Sequence, residues 1–91
     1  MFTLTEAAGV RLAEKLAKKS AGDDVALRFI RQRKRRRWIL RLDKRCPSDT
    51  TFSHEGRIVL VLDEQSSQLL KNRMLDTRET DEGPRLRLRG P

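Results

Sequence analysis

The sequence predicts a β-rich α+β domain: a mostly antiparallel sheet with two flanking helices. Three observations carry this. Several short apolar runs alternate with period two, the signature of half-buried strands. Only two stretches have helical spacing. The strands cluster along the chain instead of alternating with helices. At 91 residues the chain suits a single domain, residues 1–91, with no internal repeat and no linker. Hydrophobic residues make up 36% and charged residues 37%, so a modest core sits beneath a heavily ionised surface.

Each element follows from its local pattern. Residues 2–4 read as a short strand. Thr5 stands where a helix N-cap belongs, because its hydroxyl can accept from unpaired N–H groups of the first turn. Glu6 follows at the positive end of the helix dipole. Ala8, Leu12 and Leu16 line one face, with Ala13 and Ala17 beside them; Arg11, Glu14, Lys15, Lys18 and Lys19 fill the other. That spacing predicts an amphipathic helix of roughly 15 residues. Ser20-Ala21-Gly22 ends it, with Gly22 as the left-handed cap. Asp23-Asp24 reads as loop.

Val25, Leu27 and Phe29 alternate, as do Trp38, Leu40 and Leu42. These runs should pair as a hairpin. Residues 46–49 form a turn. Residues 51–53 and 58–62 read as strands around a turn at His54-Glu55-Gly56. The second of these is apolar on both faces and should lie centrally. Asp63 caps a short helix reaching about Leu70. Residues 77–79 form a brief strand. Residues 85–89 form the last one, with Arg85, Arg87 and Arg89 on its solvated face.

Cys46 is the only cysteine, so no internal disulfide forms and no cysteine pair can hold a metal. No apolar run approaches the roughly 20 residues of a membrane span. The N-terminus lacks the basic-then-apolar layout of a signal peptide. The expectation is a soluble, cytoplasmic protein.

Three segments, taken in order, carry a resemblance. The first is FTLTEAAGVRLAEKL. The second runs from LRLD through DTTF, the Gly56 turn and RIVLVLDEQSSQLL to MLD. The third is Gly83 followed by RLRLRGP. Together they resemble the HesB-like family of A-type iron–sulfur cluster carriers. The resemblance implies a compact β-rich, pseudo-barrel fold with flanking helices. It also implies a chemistry in which three cysteines ligate iron or a cluster, usually across a dimer. One lies in a Gly-rich loop at the tip of the first hairpin and two in a Cys-Gly-Cys tail. This chain departs from the family at both places. RQRKRRR replaces the Gly-rich tip, and the sequence stops at Gly90-Pro91 where the family continues. Cys46 aligns with neither position, so no family ligand carries over. The chain resembles a degenerate member that lacks the three ligand cysteines.

The tip itself is the strongest signal. Residues 28–45 carry ten basic side chains and one acidic one, net +9, against zero for residues 1–27 and −1 for residues 46–91. So localised an excess makes a local field and marks a site. Arg31, Arg33, Lys34, Arg35, Arg36 and Arg37, with Trp38 adjoining, are the candidate partner-binding residues. Arg offers a planar fork that grips phosphate or carboxylate through two hydrogen bonds. The partner is either an acidic protein or a nucleic acid, RNA or single-stranded DNA, on whose bases Trp38 could stack. Trp38 also keeps the alternation with Leu40 and Leu42, which suits a core anchor better.

The remaining features say less. His54 reads as a surface histidine in a turn. Asp76, Glu79, Asp81 and Glu82 form an acidic cluster that could neutralise a basic block in this chain or in another copy, a route to self-association. There is no nucleophile–base set, no phosphate-binding Gly loop and no HExxH, so no catalytic residue is assigned and no enzyme is expected. No cofactor or metal ligand is assigned either. The leading reading is a non-catalytic, regulatory binding module related to iron–sulfur cluster biogenesis. The alternatives are a nucleic-acid-binding regulator, and an iron or cluster carrier with atypical ligands.

Overall fold

Thr5 starts the first helix as its chemistry requires. In the computed structural model its Oγ1 accepts from Ala8 N at 3.2 Å, opening α1 (Glu6–Lys18) directly after β1 (Thr3–Leu4). Residues 1–22 and 24–90 are described; Asp23, half of the expected Asp23-Asp24 loop, and Pro91 lie outside the described residues. The helix ends earlier than its periodicity suggests, and the left-handed residue is Ser20 (φ 52°), not Gly22. Ser20 N–H donates to the Ala17 carbonyl at 3.0 Å and Ala21 N–H to the Leu16 carbonyl at 3.1 Å. This pairing satisfies two of the carbonyls left over at the helix end.

Next come β2 (Val25–Gln32) and β3 (Arg37–Lys44), which pair in the expected hairpin. They are followed by β4 (Thr50–His54), β5 (Arg57–Leu62), α2 (Glu64–Leu69), β6 (Met74–Thr80) and β7 (Gly83–Arg89). Asp63 caps α2 as expected, accepting from Ser66 N at 2.7 Å. The β4–β5 turn is Glu55-Gly56, both at positive φ (51° and 80°), and His54 belongs to the strand. The strand expected at residues 77–79 is longer, because residues 74–80 pair in register with residues 83–89.

The strands form two mixed sheets where one was expected, and antiparallel pairing predominates in both, as expected. Their orders are β3-β2-β5-β4 and β1-β6-β7. Three pairings are antiparallel, whereas β2–β5 and β1–β6 are parallel. β5 is internal, as its two-sided apolar run requires, and Val59 to Leu62 are fully buried. The implied pseudo-barrel does not close: β3 and β7 are edges that pair with their hairpin partners and not with each other.

Helix α1 lays Ala8, Leu12 and Leu16 into the core with Leu27, Phe29, Leu60 and Leu75. Phe2 joins the layers, meeting Phe52 at 5.2 Å and Phe29 at 6.3 Å, both edge to face. Among the described residues no helix is long and apolar enough to cross a membrane.

Candidate docking site at the basic hairpin

The β2–β3 hairpin positions the basic block. Arg31 and Gln32 end β2, residues 33–36 make the turn, and Arg37 and Trp38 open β3. Arg36 takes φ 49°, the left-handed residue that turns the chain back. Arg31, Arg33, Lys34, Arg35, Arg36 and Arg37 are all exposed. Among the described residues, no carboxylate lies within ion-pair distance of any of them. Among the described residues, their only side-chain hydrogen bond runs from Arg37 Nε to Gln32 Oε1, at 3.3 Å.

Trp38 faces Arg31 across the hairpin and packs edge to face on Phe29, centroids 6.0 Å apart. It is half-buried, one wall inside the core layer and the rest open to solvent. Two clefts of about 500 and 490 Å³ flank it. One runs toward Asp63 and Ser66 at the start of α2. The other runs over Leu40, Leu75, Leu86 and Leu88 to Arg73.

Not all of the basic stretch is free. Arg28, counted within it by sequence, is buried and spent on structure. Its Nε reaches Asp43 at 2.9 Å, its Nη1 and Nη2 take both oxygens of Asp49 at 2.9 and 2.5 Å, and Nη2 also donates to the Lys44 carbonyl at 3.2 Å. The Arg28 guanidinium, through its hydrogen bonds, holds the Asp49 carboxyl below its usual range. That pair is the residue set the pattern missed. The only hint was an Arg inside the apolar run VALRFI.

Other expectations move. Two members of the acidic cluster pair with the last strand of this chain: Glu82 with Arg85, and Asp76 with Arg89 at 3.2 Å. A hydrogen bond from Thr77 N–H, then one from the Thr5 hydroxyl, keeps the Asp76 carboxyl below its usual range. His54 is half-buried, and its ring packs against Gly9 of α1. Arg85, Arg87 and Arg89 are exposed as expected, on the sheet opposite the hairpin's.

The fold so built is the one found in iron–sulfur cluster carriers. The crystal structure of Escherichia coli SufA, involved in biosynthesis of iron–sulfur clusters, matches with a TM-score of 0.71 at 22% identity, over 99% of this chain and 85% of that one. The crystal structure of IscA with its 2Fe–2S cluster matches at 0.63 and 19%, over 100% of this chain and 86% of that one. No protein-family model and no curated protein matches the chain. The likeness to the HesB-like fold thus lies in the architecture.

The side chains present do not fit a cluster. Cluster irons are held mainly by thiolates. Cys46 is the sole thiol, exposed in the loop after β3 and 3.8 Å from the Arg28 guanidinium. Among the described residues, no three His, Cys, Asp or Glu side chains converge on a point where a metal could sit.

Proposed function

We propose that this chain is a degenerate homologue of the A-type carriers. On this reading it acts in the cytoplasm within iron–sulfur cluster biogenesis or its regulation, without holding a cluster and without catalysis. It docks an acidic partner through Arg31, Arg33, Lys34, Arg35, Arg36 and Arg37. The observation that carries this reading is the set of six exposed cations, unpaired among the described residues, at the tip of a hairpin. Like charges held together at a turn repel one another, and an acidic partner relieves that repulsion. The lone exposed thiol speaks for the cluster-free part.

Trp38, the only tryptophan, adjoins the block and reports on it. Its fluorescence should respond saturably to polyglutamate. The response should weaken with salt and disappear when Arg33, Lys34 and Arg35 are changed to Ser. Flat titrations with polyglutamate and a single-stranded oligonucleotide, repeated by mobility shift, would sink the docking reading. A response to the oligonucleotide alone would transfer the site to nucleic acid. A visible cluster band after anaerobic reconstitution with iron and sulfide, absent in Cys46→Ser, would overturn the cluster-free part.

A further inference from the structure

The free edge of β3 continues the basic surface away from the hairpin tip. Four successive residues, Arg37, Trp38, Ile39 and Leu40, line one cleft of about 700 Å³ opposite Arg85 and Leu86 of β7. Successive strand residues point to opposite faces. A cleft touched by all four therefore opens onto the strand's edge, where backbone N–H and C=O groups lie unpaired. The same edge runs on past Leu40 and Leu42 into a cleft walled by Lys15 and Lys18 of α1 and by Lys19 just after it. In the other direction it reaches Arg36 and Arg73. Among the described residues, no Asp or Glu lines any of these three clefts. Burial, then repulsion from Arg11, Lys18 and Lys19, lowers the Lys15 pKa, so positive charge is crowded here too.

Such an edge is a template for another strand. Its inner-facing side chains, Trp38, Leu40 and Leu42, form an apolar stripe of period two. Its borders are cationic from Arg37 to Leu42, and Asp43 beyond them is paired with Arg28. We propose that β3 takes up an extended acidic peptide as an added strand, with apolar residues at alternate positions laid on Trp38, Leu40 and Leu42. The peptide's carboxylates meet the arginines and lysines on either side. This deepens the docking reading above and rests on it. A nucleic acid fits less well: Trp38 is half-buried in a perpendicular contact with Phe29, and among the described residues no second aromatic lines these three clefts except Phe29 itself, which is buried.

The test uses a short synthetic peptide of alternating Glu and Val, and the same peptide N-methylated at alternate residues so that one edge cannot donate. Binding is followed by Trp38 fluorescence, and the amides of residues 37–44 by hydrogen exchange. The plain peptide should bind about tenfold tighter than the methylated one, since several backbone hydrogen bonds are at stake. It should also slow exchange along β3. The triple variant at Arg33, Lys34 and Arg35 should weaken both peptides by a similar factor, because it acts on charge alone. Equal binding of the two peptides, weakened by the triple variant, would overturn strand addition and leave hairpin docking standing. Failure of both peptides to bind while polyglutamate still does would overturn strand addition alone; failure of polyglutamate as well would remove the acidic-partner reading with it. Dimerisation of the free protein with β3 protected would show that a second copy holds the edge, which also overturns the proposal.

Discussion

Arg28 and Asp49 meet through two parallel contacts, Nη1 to Oδ1 at 2.9 Å and Nη2 to Oδ2 at 2.5 Å, with side chains only 9% and 2% exposed. Asp49 Oδ2 also accepts from Cys46 N–H at 2.8 Å. The pair clamps the loop after β3 onto the sheet. Removing Asp49 leaves the buried Arg28 guanidinium with Asp43 alone as counter-charge, and that carboxylate is half exposed. Asp49→Ala should therefore lower the unfolding free energy by about 3 kcal/mol, measured in urea.

The same pair sets an acid limit. The carboxyl of Asp49 titrates below its ordinary value when folded, chiefly because of the Arg28 hydrogen bonds. A depressed folded pKa gives stability that is complete above the unfolded carboxylate range. That stability is lost as pH falls through the folded value. The urea midpoint should fall steeply with acidification in the wild type and less steeply in Asp49→Asn. Parallel curves would refute the assignment.

Gly9 and His54 predict a change of sign. A Cβ at position 9 would lie 3.0 Å from His54 Nδ1 and 3.4 Å from its Cβ, so the half-buried imidazole would have to give by a few tenths of an ångström. Gly9→Ala should destabilise the protein although Ala is the better helix former. In a His54→Ala background the same change should stabilise it by about 1 kcal/mol, the ordinary helix preference. A double-mutant cycle reads this directly.

Ser20 holds a left-handed conformation at φ 52°. Glycine adopts that conformation without the Cβ conflict. Ser20→Gly should raise stability by about 0.5–1 kcal/mol, checked by chemical denaturation.

The hairpin tip predicts the opposite of a structural role. Replacing Arg33, Lys34 and Arg35 by Ser removes like charges that have no partner among the described residues. The melting temperature should rise slightly at low salt and be unchanged at high salt, where the repulsion is already screened. A large loss at both would mean that the block supports the fold.

What could be read from the sequence was local. Thr5 and Asp63 as caps, the period-four face of α1, the β2–β3 hairpin and the buried β5 run all depend on neighbours within a few residues. What could not be read depended on distance. The split into two sheets rests on the parallel pairings of Leu27 with Leu60 and Thr3 with Met74, which no turn dictates. Arg28 looked like one more surface cation because its partner, Asp49, lies beyond a turn. Gly22 lost the cap to Ser20 because the helix stops sooner than its apolar spacing requires. Of the site, the charge was plain and its neighbours were not: that Leu86 lies across a cleft from Trp38 follows only from the tertiary arrangement.

The pairing of β1 with β6 also orders events in time. Thr3 and Leu4 are made well before their partners, Met74 and Leu75. Helix α1 packs on β6 and β7 as well as on the earlier strands, so during synthesis part of its apolar face has nowhere to go. The first sheet can assemble on the nascent chain; the second must wait for β6 and β7. A chain stalled or cut before β6 would expose Leu12, Leu16 and Phe2 together, in a form suited to capture by a chaperone.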